Sequence, residues 1–358
     1  MFDPNFRITP KITTALMQIE ACRQAVDDLP IGASLLQHLR ETAALITTHF
    51  STQIEGNRLT LPEVKAAIHG QRIPGRERDE REVRNHFAAH ALMEQLAERP
   101  RALSEGDIKR LHGLVMTGRN KPSAYRTIQN VIREASSGGI VYLPPEAKDV
   151  PALMRDLTLW INTQVADGEL PAPLIAALAH YQFATIHPYL DGNGRTARLL
   201  ATLILRRAGY GLKGIYSLDE HYARNLRAYY ASLTVGAHNY YDGRAEGDVT
   251  PFVTYFCLGM AEAFVNVRVA AANAARQTTG DQSALLRDLE PRQRRLLALF
   301  RKQGSATAAE MAAHLRMSPR TLVQLNRAWI ASGFLDYQNA ARKNRSYRLA
   351  EKYNRLKI

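Results

Sequence analysis

Cysteine is nearly absent from this chain: Cys22 and Cys257 are the only two in 358 residues. Two isolated thiols give neither a disulfide framework nor a cysteine-rich zinc site, so a reducing, cytoplasmic setting is expected. Long apolar runs are missing as well. No uninterrupted stretch reaches the roughly eighteen residues that a membrane helix requires, and no membrane partner is expected. The first residues mix Asp3, Pro4, Arg7, Pro10 and Lys11 with apolar ones, unlike a secretory signal. Internal repeats and low-complexity tracts are also lacking. Acidic residues are in deficit, 34 Asp and Glu against 47 Lys and Arg, for a formal charge of +13. That deficit is local: from Asp281 onward there are sixteen Lys/Arg against six Asp/Glu. A localised positive excess favours an anionic partner.

Strand patterns are missing from the first 125 residues. Leu35, Leu36, Leu39, Ala43, Ile46, Phe50 and Ile54 recur at spacings of three and four, which predicts a helix ending at Gly56-Asn57. Thr60, Pro62 and Glu63 read as N-cap, first-turn proline and capping-box acid of the next helix. Further helices are expected over about 13–27, 81–98 (after a charged turn at 74–80), 105–115 and 150–162. The alternation breaks at 128–143, where Val131-Ile132 and Ile140-Val141-Tyr142 flank Ser136-Ser137-Gly138-Gly139, a short β-hairpin. Later helices are expected from Pro173 to His187, onward to Arg207, over 219–234 and over 250–271. A polar segment, 272–283, reads as a linker. Beyond it, three helices and two strands around a basic turn resemble a winged helix-turn-helix.

The densest chemistry lies in His187-Pro188-Tyr189-Leu190-Asp191-Gly192-Asn193-Gly194-Arg195-Thr196-Ala197-Arg198. Pro188 disfavours helical geometry at His187, so the imidazole should sit at a helix end facing the loop. Gly192, Asn193 and Gly194 can turn successive amides towards one point at the start of the next helix, a concavity suited to phosphate. Arg195 and Arg198, three apart, share a helix face and suit a di- or triphosphate. Asp191 offers a hard oxygen to Mg²⁺, and His187 can take a proton from an attacking hydroxyl.

This block is similar to the Fic family motif, His-Pro-(Phe/Tyr)-x-(Asp/Glu)-Gly-Asn-Gly-Arg-x-x-Arg, at every specified position. The resemblance implies an all-α fold, a Fic-type helical bundle with a short β-hairpin flap, here followed by the winged helix-turn-helix. It implies transfer of AMP from ATP to a Ser, Thr or Tyr hydroxyl on a target protein, with UMP or GMP the nucleotide donated in a few relatives. His187 would be the base, Asp191 the Mg²⁺ ligand, Gly192, Asn193 and Gly194 the anion hole, and Arg195 and Arg198 the phosphate ligands. Ser51-Thr52-Gln53-Ile54-Glu55-Gly56 resembles the family's inhibitory (Ser/Thr)-x-x-x-Glu-(Gly/Asn) element, which implies that Glu55 pairs with Arg198 in place of the γ-phosphate. The hairpin falls where the family has its flap, so Gly139, Ile140, Val141 and Tyr142 are expected to receive an extended target segment. Tyr222, Asn225, Leu226, Tyr229 and Tyr230 fall in the helix that lines the adenine pocket of relatives, and Tyr222, Asn225 and Tyr230 are the nucleotide contacts expected there. Tyr189 and Ala197 depart from the commoner Phe and Gly without removing a catalytic group.

The expected organisation is an N-terminal helical region over 1–100 with its inhibitory helix at about 35–56, and a catalytic core over 101–271. The linker at 272–283 and a winged-helix-like domain over 284–358 follow. In that domain Arg320, Gln324 and Arg327 share a helix face, with Arg342, Lys343 and Arg345 in the wing, so DNA is one expected partner and docked protein another. Two alternatives to transfer stay open: removal of AMP with Glu55 positioning water, and a DNA-binding regulator whose nucleotide domain senses ATP. The sequence leaves the target protein, the oligomeric state (a homo-oligomer is one option) and the trigger open.

Overall fold

The structure is a computed structural model that describes residues 2–29, 31–133, 138–235, 239–245, 247–279, 288–339, 341 and 345–354. The chain forms two compact units, Met1–Ala275 and Arg276–Ile358.

The first unit is helical because its apolar residues recur at helical spacing and its polar ones cap the ends. Thr9 caps α1 (Pro10–Asp27), accepting from the Ile12 amide at 3.3 Å. Next come α2 (Ala33–Ile54), α3 (Leu61–Ile68), α4 (Glu77–Ala97) and α5 (Glu105–Thr117). The capping box of α3 forms as expected, Glu63 accepting from both the amide and the hydroxyl of Thr60 at 2.8 and 2.7 Å. A second box, Ser104 with Asp107, opens α5. Helix α4 starts four residues before the expected Arg81. Glu77, Asp79 and Glu80, read as a charged turn, form its first turn, where acidic side chains favour the positive end of the helix dipole.

The centre of this unit is α7 (Ala172–Ile186), preceded by α6 (Val150–Asp167) and followed by α8 (Asn193–Arg207). Helix α7 is apolar around nearly its whole circumference, with Leu174 through Phe183 all buried. It therefore packs on all sides, against α6 and α8 among others. Burial of side chains such as Leu178 and Phe183 stabilises by about 1.5–3 kcal/mol each. This packing fixes the end of α7 and the start of α8, between which the His187–Gly192 loop is strung.

The hairpin is shorter than the expected 128–143: β1 (Ile132–Arg133) pairs antiparallel with β2 (Ile140–Tyr142), Ile132 opposite Tyr142. Its turn residues Ser136 and Ser137 lie outside the described residues. The helix expected over 219–234 is two helices, α9 (Asp219–Arg224) and α10 (Leu226–Leu233). Asn225 interrupts them, its side chain accepting from the Ala228 amide at 3.1 Å instead of continuing the helix. A short helix, α11 (Tyr241–Ala245), leads to α12 (Thr250–Thr279), which runs through eight residues of the expected linker; 280–283 lie outside the described residues. Within α12, Thr250–Asn273 is long and apolar enough to cross a membrane by length and composition, although polar residues interrupt it. Phe252, Val253, Phe256, Met260 and Phe264 of that segment lie in the core of the unit.

The second unit places α13 (Pro291–Gln303), α14 (Ala308–Leu315) and α15 (Pro319–Ala331) with an antiparallel sheet and a final turn, α16 (Glu351–Asn354). The sheet order is β3 (Ala306–Thr307), β5 (Ser346–Leu349), β4 (Leu335–Asn339). Leu296, Phe300, Met311, Leu322, Trp329, Phe334 and Tyr347 form its own core. Arg320, Gln324, Arg327 and Arg345 are exposed, while Arg342 and Lys343 lie outside the described residues.

Candidate active site

His187 ends α7 in a left-handed conformation (φ 50°, ψ 59°), and its amide donates to the Phe183 carbonyl at 3.0 Å. The proline that follows was expected to end the helix, and it does, although into the left-handed region rather than an extended one. For a residue with a Cβ that conformation costs roughly 1–2 kcal/mol. Arg126 holds it. Its Nε donates to the His187 carbonyl at 3.0 Å, its amide donates to the Pro188 carbonyl at 2.9 Å, and its guanidinium also reaches the Pro145 carbonyl. The His187 Nδ1 lies 3.3 Å from the Ala184 carbonyl, which assigns the proton to Nδ1 and leaves the Nε2 lone pair available. Burial pushes this imidazole down to about 4, against the raising effects of the Ala184 carbonyl and of Glu55.

The loop is braced from within. The Asn193 side chain accepts from the Tyr189 amide at 3.0 Å and donates to the Tyr189 carbonyl at 2.8 Å, so its contribution to the loop is closure. His112 stacks on Tyr189 with ring centroids 3.5 Å apart, and its Nε2 lies 2.9 Å from the Asp191 carbonyl. Burial holds His112 neutral, with its pKa down to about 4. Asp191 Oδ1 accepts from the Gly192 amide and, at 3.1 Å, from Arg195 Nη2, while the side chain is 61% exposed. Gly192 turns into the left-handed region at φ 76°, where a Cβ would also lie 2.6 Å from Met116 Sδ. Gly192→Ala is therefore expected to destabilise the protein by about 1–3 kcal/mol, read as a lower thermal midpoint. Helix α8 begins at Asn193 with no side-chain cap, so its first amides and its dipole face the cleft.

Arg195 and Arg198 of this helix are buried and paired with carboxylates outside it. Arg198 Nη2 donates to Glu55 Oε1 at 3.0 Å and to the Ser51 carbonyl at 2.8 Å; its Nε donates to Ser51 Oγ at 3.1 Å and lies 2.9 Å from Asp219 Oδ1. Burial raises the Asp219 pKa, and the Arg198 charge opposes that rise. Arg195 pairs through Nη1 with Glu82 and through Nη2 with Asp191. Glu55 lies directly over the start of α8: a Cβ on Gly194 would fall 2.3 Å from Glu55 Oε1 and 3.1 Å from Arg198 Nη1. A carboxylate thus fills the place that an uncapped helix end and a buried arginine offer to an anion.

A cleft of about 860 Å³ opens over these groups, lined by Glu55, His187, Asn193, Gly194, Arg198 and Tyr230 together with β1, β2 and α10. That volume falls within the range of small-molecule and cofactor sites. Tyr229 lines it too, with its hydroxyl 2.9 Å from His180 Nε2. Two expected nucleotide contacts, Tyr222 and Asn225, are not among the residues lining this cleft. Tyr222 is buried behind Tyr229, stacked with centroids 4.8 Å apart, and Asn225 spends its side chain on the helix cap. On the hairpin, Ile140 and Val141 are exposed. Tyr142, expected to receive the target, is 2% exposed and donates its hydroxyl to the Thr185 carbonyl at 2.7 Å, so it anchors the strand. Gly139 is exposed beside the turn.

A profile of the Fic/DOC family matches residues 102–205, the segment carrying the flap, the loop and α8. The chain contains a Fic/DOC domain. The protein adenylyltransferase Fic of Nematostella vectensis is 28% identical over 251 residues, covering 67% of this chain and 52% of that one. The protein adenylyltransferase fic-1 of Caenorhabditis elegans is 30% identical over 259 residues, covering 70% of this chain and 46% of that one. The chain thus spans about half the length of these relatives. A solved Fic family protein from Desulfovibrio desulfuricans G20 aligns at a TM-score of 0.64 and 26% identity, covering 98% of this chain and 99% of that one. Four residues that contact the loop or its arginines had no local signal: Glu82, His112, Arg126 and Asp219. Each sits in an ordinary helix or turn outside the loop's own stretch of sequence, and only the fold brings it to the loop.

Proposed function

We propose that this chain transfers AMP from ATP to a hydroxyl of a target protein and that Glu55 restrains the reaction. The observation that carries the reading is one cleft holding an available His187 Nε2, an uncapped helix start at Gly194, and a buried Arg198. In the transfer step the target oxygen attacks the α-phosphorus, the bond to the β-phosphate oxygen breaks, and pyrophosphate leaves. The target proton goes to His187 Nε2. Arg195 and Arg198 neutralise the leaving phosphates, and the first amides of α8 hold their oxygens. Asp191 suits Mg²⁺, because its side chain is 61% exposed with Oδ1 engaged locally, and Mg²⁺ takes one or two carboxylates alongside water and phosphate oxygens. Bound there, the ion would neutralise phosphate charge.

Glu55 would deny the γ-phosphate its place at Arg198, the basis of the restraint. The exposed Ile140 and Val141 make the flap edge the place for an extended target segment. The free, buried Cys22 and Cys257 agree with a reducing, cytoplasmic setting. The test incubates wild-type and Glu55→Gly protein with α-labelled ATP and Mg²⁺. Label on the protein itself or on lysate proteins, stronger in Glu55→Gly, is expected. No label from any nucleotide would sink the transferase reading and leave a nucleotide sensor, if ATP still binds. Release of AMP from a pre-labelled protein, lost in Glu55→Gly, would instead assign removal.

For the second unit, the exposed Arg320, Gln324 and Arg327 on α15 and Arg345 at the start of β5 support a winged-helix-like module that binds DNA. Binding carried by phosphate contacts is expected to weaken steeply with salt, by roughly tenfold or more between 50 and 200 mM. A mobility-shift titration at both concentrations measures it. Retention of binding after deletion of residues 284–358 would overturn the assignment.

A further inference from the structure

Two carboxylates reach the Fic loop from outside the segment matched by the family profile. Glu55 meets Arg198, and Glu82 of α4 meets Arg195. The second pair is the more buried, with side chains 6% and 12% exposed. We infer that Glu82 is a positioning residue that fixes the Arg195 guanidinium for the leaving phosphates, and that Asn57 fixes Glu82 in turn.

The geometry is a chain of contacts. Asn57 Nδ2 donates to Glu82 Oε2 at 2.9 Å and to the Asp79 carbonyl at 3.0 Å, while Asn57 Oδ1 accepts from the Leu59 amide at 3.1 Å. Asn57 is 6% exposed, so its hydrogen bonds face little competition from water. The other carboxylate oxygen, Glu82 Oε1, takes Arg195 Nη1, while Arg195 Nη2 takes Asp191 Oδ1. The guanidinium is thereby oriented from two sides. One side is the loop itself. The other is the turn that immediately follows the Glu55 helix end. His86, one turn after Glu82 on α4, is buried and its pKa is lowered, chiefly by burial and further by nearby positive groups including Arg195, so it adds no second positive charge beside the pair. Among the described residues Glu82 and Asp191 are the carboxylates paired with Arg195.

The chemistry explains why a charge is needed there. A buried guanidinium without a counterion is costly, and it would swing towards whichever anion is nearest. Glu82 supplies the counterion at Nη1, while Asp191 takes Nη2 and the buried Nε has no hydrogen-bond partner. A glutamine at 82 has the same shape but no charge. Its amide group would also face a donor, Asn57 Nδ2 or Arg195 Nη1, in place of an acceptor oxygen. The arginine then loses its fixed direction without any loss of packed volume.

This inference rests on the reading of Arg195 as a phosphate ligand, and the experiment separates the two. In the Glu55→Gly protein, KM and kcat for ATP are measured for Glu82→Gln, Arg195→Gln and the double variant, alongside equilibrium binding of a fluorescent ATP analogue. Glu82→Gln is expected to raise KM and weaken analogue binding roughly tenfold, the scale of one charge-assisted hydrogen bond, with kcat changed less than about threefold. Adding it to Arg195→Gln should change neither further, because its whole effect runs through that arginine. Additive losses, or an unchanged KM in Glu82→Gln beside a raised one in Arg195→Gln, would overturn the positioning role. An unchanged KM in Arg195→Gln would overturn the phosphate-ligand reading itself. If Glu82→Gln does not fold, Glu82→Asp takes its place. That variant keeps the charge but shortens the reach to Arg195, and the same raised KM and the same non-additivity are expected.

Discussion

Replacing His187 by alanine is expected to lower adenylyl transfer by roughly 10²-fold or more, the scale of a removed general base. Initial rates in the Glu55→Gly background give the cleanest reading, since the site is then unrestrained. The loss should fall on kcat, because His187 meets the target hydroxyl and not the phosphates. The pH profile carries more information than the loss. A base works only in its neutral form. Burial depresses the His187 pKa to about 4, below the ordinary 6.5. The imidazole therefore stays competent throughout pH 5 to 8, and activity falls only as the pH drops through about 4. Stability responds in the same direction but over a higher pH range. A histidine whose folded pKa is depressed favours the unfolded chain as pH falls below 6.5, and that effect saturates below about 4. An acid limb of kcat/KM centred near 6.5 would show that the catalytic base is not this buried imidazole.

How much of this could be read from residues alone depended on where the chemistry lay along the chain. His187, Asp191, Arg195 and Arg198 sit within twelve positions, so their spacing carried the helix end, the turn and the shared arginine face together. The helix that Glu55 closes was legible from its regular apolar stripe, Leu35 to Ile54, but the role of Glu55 came only from the resemblance of Ser51–Gly56 to the family's inhibitory element. Glu82 was not legible. It lies 113 residues from Arg195, in a helix whose exposed positions carry many other charges, and only the packing of α4 beside α8 turns it inward. Asp219 and Arg126 were hidden in the same way. The misplaced elements have local causes instead. The first turn of α4 is rich in acids, which read equally as a turn and as a helix start. Asn225 broke a periodic tyrosine pattern by capping α10, and Tyr222, on the preceding helix, is buried against Tyr229.

Glu55→Gly is expected to raise the initial rate of AMP transfer at least tenfold, which corresponds to about 1.4 kcal/mol against the productive nucleotide pose. The site explains why the change should activate rather than unfold the protein. Arg198 keeps the Asp219 carboxylate at 2.9 Å and the Ser51 carbonyl at 2.8 Å, so its buried charge is not left bare. Glu55 itself stands at the end of α2 with φ −90° and ψ 9°, a conformation open to glycine. What disappears is the carboxylate seated over Gly194, and with it the anion that competes for Arg198 and the α8 start. Glu55→Gln separates charge from bulk. It leaves a side chain over Gly194 but removes the negative charge, so its rate should lie between those of wild type and Glu55→Gly. Equal rates for Gln and wild type would mean that bulk alone blocks the γ-phosphate. A rate in Glu55→Gly no higher than wild type would remove Glu55 as the restraint, and leave its contact with Arg198 a structural ion pair.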